Sequence, residues 1–501
     1  MDFLNNIVLG LDTAFSATNL LYCFAGVFLG TAIGVLPGLG PVPTIAMLLP
    51  ITYTLDPVTA IIMLAGIYYG SQYGGSTTAI LVNLPGESSS VVTCLDGHEM
   101  AKRGRAGVAL AIAALGSFFA GTVATLVIAG FAPSLANFAL EFGAPDYFSL
   151  VVLGLVSAVI LAHGSILKAF ASMLLGIILG LIGTDSISGA SRYTFGVVEL
   201  FDGIEFVAVA MGFFAFSEII RNLSSPASRD IVATKIINVW PNLSDFRKSW
   251  KPVLRGTALG SLLGVLPGGG ATLSSWTSYA LEKRLSSHPE EFGKGAIEGV
   301  AGPEAANNAG AQTSFIPMLT LGIPSNGVMA MMVGAMMIHS IVPGPSIIEK
   351  EPALFWGLIV SMWIGNLMLI VLNMPLIGLW VKLLKVPYDI MFPFIVVVCC
   401  VGIYSIKGGV FDIYMAAIFG VFGFLFSKLE CEPAPLLLGF ILGPMMEENF
   451  RRALLISRGE FSIFVTSPVS CVLLLLAVTL LMVVVAPSIR RRRKEAFAEE
   501  S

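Results

Sequence analysis

The chain places nearly the same proline-glycine cluster twice inside highly apolar sequence: GVLPGLG at 34–40 and GVLPGGG at 264–270. Proline has no amide hydrogen and glycine enters positive φ readily, so each cluster stops one helix and allows another to start. Aligned at an offset of 230, Gly26–Gly40 and Gly256–Gly270 share nine identities in fifteen positions. A second proline stretch follows each copy, NLPGESSS around Pro85 and LGIPSNG around Pro324. The proline spacing is 48 residues in one copy and 57 in the other, and the nine-residue excess falls naturally in the polar segment EKRLSSHPEEF at 282–292. Any fold must therefore accommodate two related segments, each broken twice.

The surroundings of these breaks define the solvent. Of the residues, 56% are apolar and 12% charged, with a mean hydropathy of +0.86, about half the charge of a soluble domain. Runs such as 106–132 and 467–487 are long enough to cross ~30 Å of hydrocarbon, which takes ~20 residues. About twelve such segments are expected, several short or interrupted. The first residues carry no Lys or Arg, unlike a cleavable signal peptide, so the mature chain is expected to start there. Six scattered cysteines without C-x-x-C spacing suggest neither a metal nor a disulfide. The net charge of −4 says little about partners, since the placement of basic residues matters more in a membrane protein, and nothing points to nucleic acid.

Basic residues in short loops face the cytoplasm. None precede the first copy within residues 1–15, whereas 221–255 holds seven; after the second proline stretch the bias reverses, with Lys102, Arg103 and Arg105 against Glu349, Lys350 and Glu351. The copies read as inverted, with the N-terminus outside and the C-terminus inside. The expected fold is an all-α polytopic membrane protein of two inverted-topology repeats with re-entrant or broken helices, a plan common in secondary transporters. The divisions are a first transmembrane repeat at 1–220, a cytoplasmic linker at 221–252, a second repeat plus terminal helix at 253–487, and a basic cytoplasmic tail at 488–501. Only 27 residues separate Arg255 from Lys283, too few for two full crossings, so GVLPGGG is expected at the tip of a re-entrant hairpin.

Irregular backbone at membrane depth is tolerated where it is buried in protein or lines a watery cavity. The tips, Pro37, Gly38, Gly40 and Thr44 in the first copy and Pro267, Gly268, Gly269, Gly270, Thr272 and Ser274 in the second, would present helix N-termini that seat a carboxylate. Neutral hydroxyls and amides cluster beside them: Ser76, Thr77, Thr78 and Asn83 with Pro85 and Gly86, then Asn307, Asn308, Gln312, Thr313 and Ser314 with Pro324, Ser325 and Asn326. Stretches 34–44, 74–90, 264–275 and 307–327 contain no Lys or Arg and a single acid, Glu87. An anion there would be held by neutral groups, with co-transported cations balancing its charge.

Other chemistries fit less well. No G-K-[ST] follows the glycines, which excludes a nucleotide P-loop. DGHEMAKRGRAG at 96–107 lacks metal-ligand spacing and reads as a cytoplasmic loop. Asp412 and Lys168 lie near segment ends, where snorkelling is the default. With four scattered histidines there is no nucleophile, base and orienter set, so the chain reads as a non-enzyme with no cofactor or metal site. An anion channel or a membrane-embedded enzyme is the alternative.

GVLPGLGPVPTIAMLLPITY, YYGSQYGGSTTAILVNLPGESSSVVTCLDGHEMAKRGRAG and GVLPGGGATLSSWTSYALEKR resemble the signature stretches of the large membrane subunit of the tripartite tricarboxylate transporters, the TctA family. The resemblance covers nearly the whole chain. It implies a bacterial inner-membrane permease working with a small four-helix membrane subunit and a periplasmic solute-binding protein. It also implies uptake of citrate or another small carboxylate, coupled to Na⁺ or H⁺.

Overall fold

The structure is a computed structural model describing residues 3–36, 40–162, 165–185, 187–224, 239–266, 270–384 and 388–485. Pro37, Gly38, Pro267, Gly268 and Gly269, the centres of both tips, lie outside the described residues.

Local sequence sets the helix ends. Helices α1 (Phe3–Ala14) and α2 (Ala17–Gly34) meet at Ser16, whose side chain accepts the Asn19 amide at 3.3 Å. Prolines open α3 (Pro41–Thr52) and α4 (Pro57–Val82), where the missing amide hydrogen costs nothing. Asp56 caps α4 through the Val58 amide at 3.0 Å, and Asn83 ends it in the left-handed conformation at φ 58°. Four helices follow: α5 (Val91–Lys102), α6 (Ala106–Ala139), α7 (Ala144–Leu161) and α8 (Ile166–Gly180). Then comes α9 (Phe206–Ser224), wound as a π-helix over Met211–Phe216.

The second half starts with α10 (Leu243–Gly264), fixed by reciprocal bonds between Asn242 and Asp245 at 2.9 and 3.1 Å. Next are α11 (Gly270–Leu285), α12 (Glu298–Thr313), α13 (Phe315–Leu321) and α14 (Gly327–Ile338). After α15 (Pro352–Asn373) come α16 (Ile377–Leu383), α17 (Tyr388–Lys407), α18 (Phe411–Lys428), α19 (Ala434–Ile456) and α20 (Pro468–Val485). The strands among the described residues form one short hairpin, Gly183–Thr184 against Ser191–Arg192. Arg192 and Arg451 hold it to α19 through Asp185 and Glu447, and the Arg192 guanidinium keeps the Asp185 carboxyl well below the usual carboxylate range.

Among the described residues six helices, α2, α6, α7, α9, α15 and α18, are long and apolar enough to cross a membrane, and five shorter apolar helices accompany them. The chain is a multi-pass α-helical membrane protein. Its core runs continuously from Val27 on α2 to Leu442 on α19.

The two motif-bearing segments pack alike. A side chain on Gly26, Gly30 or Gly34 would stand 2.2–2.4 Å from the carbonyl oxygens of Met63, Ile67 and Ser71. On Gly256, Gly260 or Gly264 it would stand 2.2–2.4 Å from those of Gly302, Ala306 and Gly310. The glycines are offset by 230 and their partners by 239, which carries the nine-residue excess deduced from the prolines. Close backbone approach between helices requires a residue without a side chain. The α10–α11 pair returns on itself: the Arg255 Nε donates to Glu282 Oε1 at 2.8 Å, so positions 27 residues apart share one level.

One sequence expectation needs correction. DGHEMAKRGRAG is helical through Lys102 rather than a loop, because Asp96 is fully buried and accepts from the Tyr279 hydroxyl at 2.9 Å and the amides of Gly295 and Ala296 at 2.7 and 2.8 Å. The segment 221–252 is helical at both ends, through Ser224 in α9 and from Leu243 in α10.

Candidate functional site

A cavity of about 730 Å³ lies where all four candidate stretches meet. Four helix N-termini border it, those of α3 at Gly40 and Pro41, α11 at Gly270 and Ala271, α14 at Asn326 and Gly327, and α19 at Pro433 and Ala434. Each ends a helix of at least 12 residues and contributes a partial positive charge. The opposite pole, the C-terminal turn of α7 at Ala158–Ala162, closes another wall, and Phe214 from the π-helical stretch of α9 projects there too. A π-helical turn shifts the register of side chains on one face, a common device at functional sites.

The polar lining is mostly neutral. Gln72 and Tyr68, four residues apart on α4, are both buried. Asn326 caps α14 by accepting the Met329 amide at 3.0 Å while its Nδ2 donates to Ser314 Oγ at 3.3 Å. Ser88 and Thr272 hydroxyls meet at 3.0 Å, joining the first half to the second at the cavity wall. Ser325 lines the cavity, and its hydroxyl is fully buried without a partner among the described residues. Among the described lining residues there is no Lys, Arg or His, and two are acids, Glu87 and Glu432. Glu87 accepts from Ser89 Oγ and from Gln72 Nε2, the latter at 3.3 Å.

Of the residues singled out in the sequence, Gly40, Gly270, Thr272, Ser325 and Asn326 line this cavity. Others brace it. Thr44 and Ser274 make the same back-bond, to Gly40 and Gly270 carbonyls at 2.8 and 2.7 Å, again at the 230 offset. Thr78 reaches the Val35 carbonyl at 2.7 Å and so closes the end of α2. Ser314 bonds the Gly264 carbonyl at 3.3 Å, Gly86 packs against the Gly34 carbonyl, and Thr313 against Gly264. Asn83 is exposed at the end of α4, and Pro85 and Pro324 shape the turns beside Gly86 and Ser325 without lining the cavity.

A third set faces away from the cavity. Ser76 Oγ lies 2.6 Å from Glu304 Oε2, Asn307 Nδ2 lies 3.3 Å from the same oxygen, and Thr93 Oγ1 contacts Oε1. Asn308 joins Ser117 at 2.7 Å, and Gln312 reaches Asn366 at 3.5 Å. Thr77 borders a void of about 10 Å³ shared with Tyr73, Ser76, Ser117 and Asn373. Glu304 is fully buried and forms no ion pair among the described residues. It lies just before the polar 307–327 stretch singled out in the sequence. An acid three residues earlier in an uncharged run, on the same helix face as Asn307, was the available signal.

Broken helices whose N-termini surround a cavity inside a multi-pass bundle are the arrangement of a membrane transport protein. The chain belongs to the Tripartite tricarboxylate transporter TctA family, whose profile matches residues 20–438. It is similar to the "Uncharacterized 52.8 kDa protein in TAR-I ttuC' 3'region" of Agrobacterium vitis, 60% identical over 474 residues, covering 95% of this chain and 94% of that protein. It also resembles the "Uncharacterized protein in TAR-II ttuC' 3'region" of the same organism, 60% identical over 215 residues, 43% of this chain and 89% of the relative. No solved structure matches the chain.

Proposed function

We propose that the protein is the large permease subunit of a tripartite, binding-protein-dependent system for cation-coupled uptake of a small carboxylate, citrate or another di- or tricarboxylate, across the bacterial inner membrane. Its partners are a small four-helix membrane subunit and a periplasmic solute-binding protein, and the coupling cation is Na⁺ or H⁺. The observation that carries this reading is the convergence of four helix N-termini on a cavity with no basic side chain among its described lining residues. The matching glycine contacts at offsets of 230 and 239, with the reversed loop charge, support two inverted repeats that meet at that cavity.

Magnitudes require the cation. A helix terminus contributes about 0.3–1 kcal/mol toward an anion, up to ~2 when partly buried. An ionised Glu87 at 4–8 Å opposes it by about 2–4 kcal/mol at an effective dielectric of 20. One carboxylate on the wall thus offsets several termini, and a carboxylate substrate binds well only once that wall is neutralised. Cation and substrate then favour each other by linkage.

The test is reconstitution of the chain with the small membrane subunit and the binding protein in liposomes, presented with labelled citrate and a panel of other di- and tricarboxylates. The expected result is accumulation driven by a Na⁺ or H⁺ gradient, with counterflow exchange and chemically unchanged substrate. Flux without counterflow would indicate a channel, a converted product an enzyme, and affinity indifferent to both cations would remove the coupling.

A further inference from the structure

The cavity does not use Glu304, yet the protein spends a fully buried carboxylate there. Glu304 sits on α12 where α4, α5 and α6 of the first half converge, and its carboxyl is bonded from α4 (Ser76), α5 (Thr93) and its own helix (Asn307). An isolated ionised carboxylate in such a place is costly, and no cation among the described residues relieves it.

The hydrogen bonding accommodates a protonated carboxyl. Ser76 Oγ lies 3.0 Å from the Gln72 carbonyl, its i−4 acceptor, and 2.6 Å from Glu304 Oε2. A hydroxyl has one hydrogen to donate. If Ser76 donates to the Gln72 carbonyl, the short contact is satisfied by an O–H on Glu304 donating to Ser76, while Thr93 donates to the other oxygen. The titratable groups facing Glu304 are Tyr73 from α4, Cys94 from α5 and Glu87 from the loop before it, none of them a cation. α6 offers Ser117, which bonds the Glu304 carbonyl at 3.3 Å. Arg255 of α10 and Glu282 of α11 close on each other beside Gly302. The Tyr73 hydroxyl and Asn373 Oδ1, both without partners, border the water-sized void that also touches Ser76. That void has the polar partners a water needs and gives a proton a place to arrive from.

We infer that Glu304, with Ser76 as acceptor and Thr93 as donor, is an exchangeable proton-binding site at the junction of the two halves. Gln72 links it to the cavity: its carbonyl takes the Ser76 hydrogen and its side chain bonds Glu87 on the wall. Occupancy of the site is thereby tied to the cavity's own acid, a coupling role that rests on the transport reading above; proton binding itself does not.

The purified full-length protein, without substrate, is titrated with pH by infrared difference spectroscopy of the protonated-carboxyl band. A component present at low pH, lost as pH rises and missing from Glu304→Gln is expected. Ser76→Ala removes the acceptor of the proton and lowers the midpoint; Thr93→Val removes a donor to the carboxylate and raises it, each by about half to one pH unit. Identical wild-type and Glu304→Gln spectra at every pH would overturn the site. So would a Glu304 band that never titrates, or one abolished by NaCl at constant pH, which would make the occupant Na⁺. Should Glu304→Gln not fold, the opposed shifts of the other two variants decide. In liposomes, pH-gradient-driven accumulation by Glu304→Gln is expected to fall at least tenfold relative to its own counterflow. If wild-type protein moves no carboxylate at all, the transport reading fails while the infrared titration still decides proton binding.

Discussion

The two motif-bearing segments repeat their glycine contacts and differ in the acids they carry. Gly34 and Gly264 press on the carbonyls of Ser71 and Gly310 alike, and Thr44 and Ser274 repeat one back-bond. At the 239 offset, however, Glu87 of the first half stands where the second has Asn326, and Glu304 of the second stands where the first has Ala65. Glu87 stands on the cavity wall and Glu304 in the interior. The matching glycines fix where helices approach. The two acids thus occupy different surroundings, one beside the cavity and one away from it.

The strongest way to break this comparison is at the shared contacts. Gly34→Val and Gly264→Val each drive a side chain into a backbone carbonyl at 2.4 Å, and a carbonyl inside a packed helix cannot retreat as a side chain would. Overpacking costs about 1–3 kcal/mol in adaptable cores, so both variants are expected at or beyond that range. Size-exclusion profiles and melting curves should show both largely unfolded or aggregated, while Gly130→Ala, with nothing within 4 Å, melts like wild type. If one half tolerates valine, the packing equivalence is false.

A second experiment moves charge between the halves. Asn326→Asp adds an acid to the cavity, and at an effective dielectric of 20 about 2–4 kcal/mol of repulsion is available, so carboxylate affinity should fall at least tenfold at pH 8. Glu87→Gln with Asn326→Asp restores the count of acids and should recover affinity to within a few fold, as read by isothermal calorimetry with the carboxylate that wild type transports best. Failure of the double variant to recover would show that the position of the acid, rather than the charge of the wall, controls binding.

How far the sequence reached follows from the same contrast. The repeated glycines and prolines were legible because a helix break needs particular residue types at particular places, and Gly40, Gly270, Thr272, Ser325 and Asn326 do line one cavity. Neutral hydroxyls were less legible. Ser76 and Asn307 look no different in sequence from Ser325, yet their helix faces turn them toward Glu304. The walls given by the end of α7, by Phe214 and by residues 432–435 carry no motif at all, because long-range packing alone brings them there.

The smallest expected effect concerns a single hydroxyl. Gly86 and Ser325 are equivalent at the 239 offset, but the first packs on the Gly34 carbonyl while the second lines the cavity and keeps a buried hydroxyl without a partner among the described residues. If the repeat dictates packing on one side and ligand contact on the other, Ser325→Ala should leave the melting temperature unchanged, because no protein bond is lost. It should weaken carboxylate binding by about 0.5–1.5 kcal/mol, roughly two- to tenfold, the worth of one hydrogen bond. Gly86→Ala should do the reverse and lower the melting temperature, since its methyl would meet backbone at 2.0 Å. Calorimetric affinity and thermal stability measured on the same two preparations separate the roles. A stability loss in Ser325→Ala with unchanged affinity would make that serine a packing residue, and the second half would then contact its ligand through Asn326 and Thr272 and the helix ends at Gly270 and Gly327.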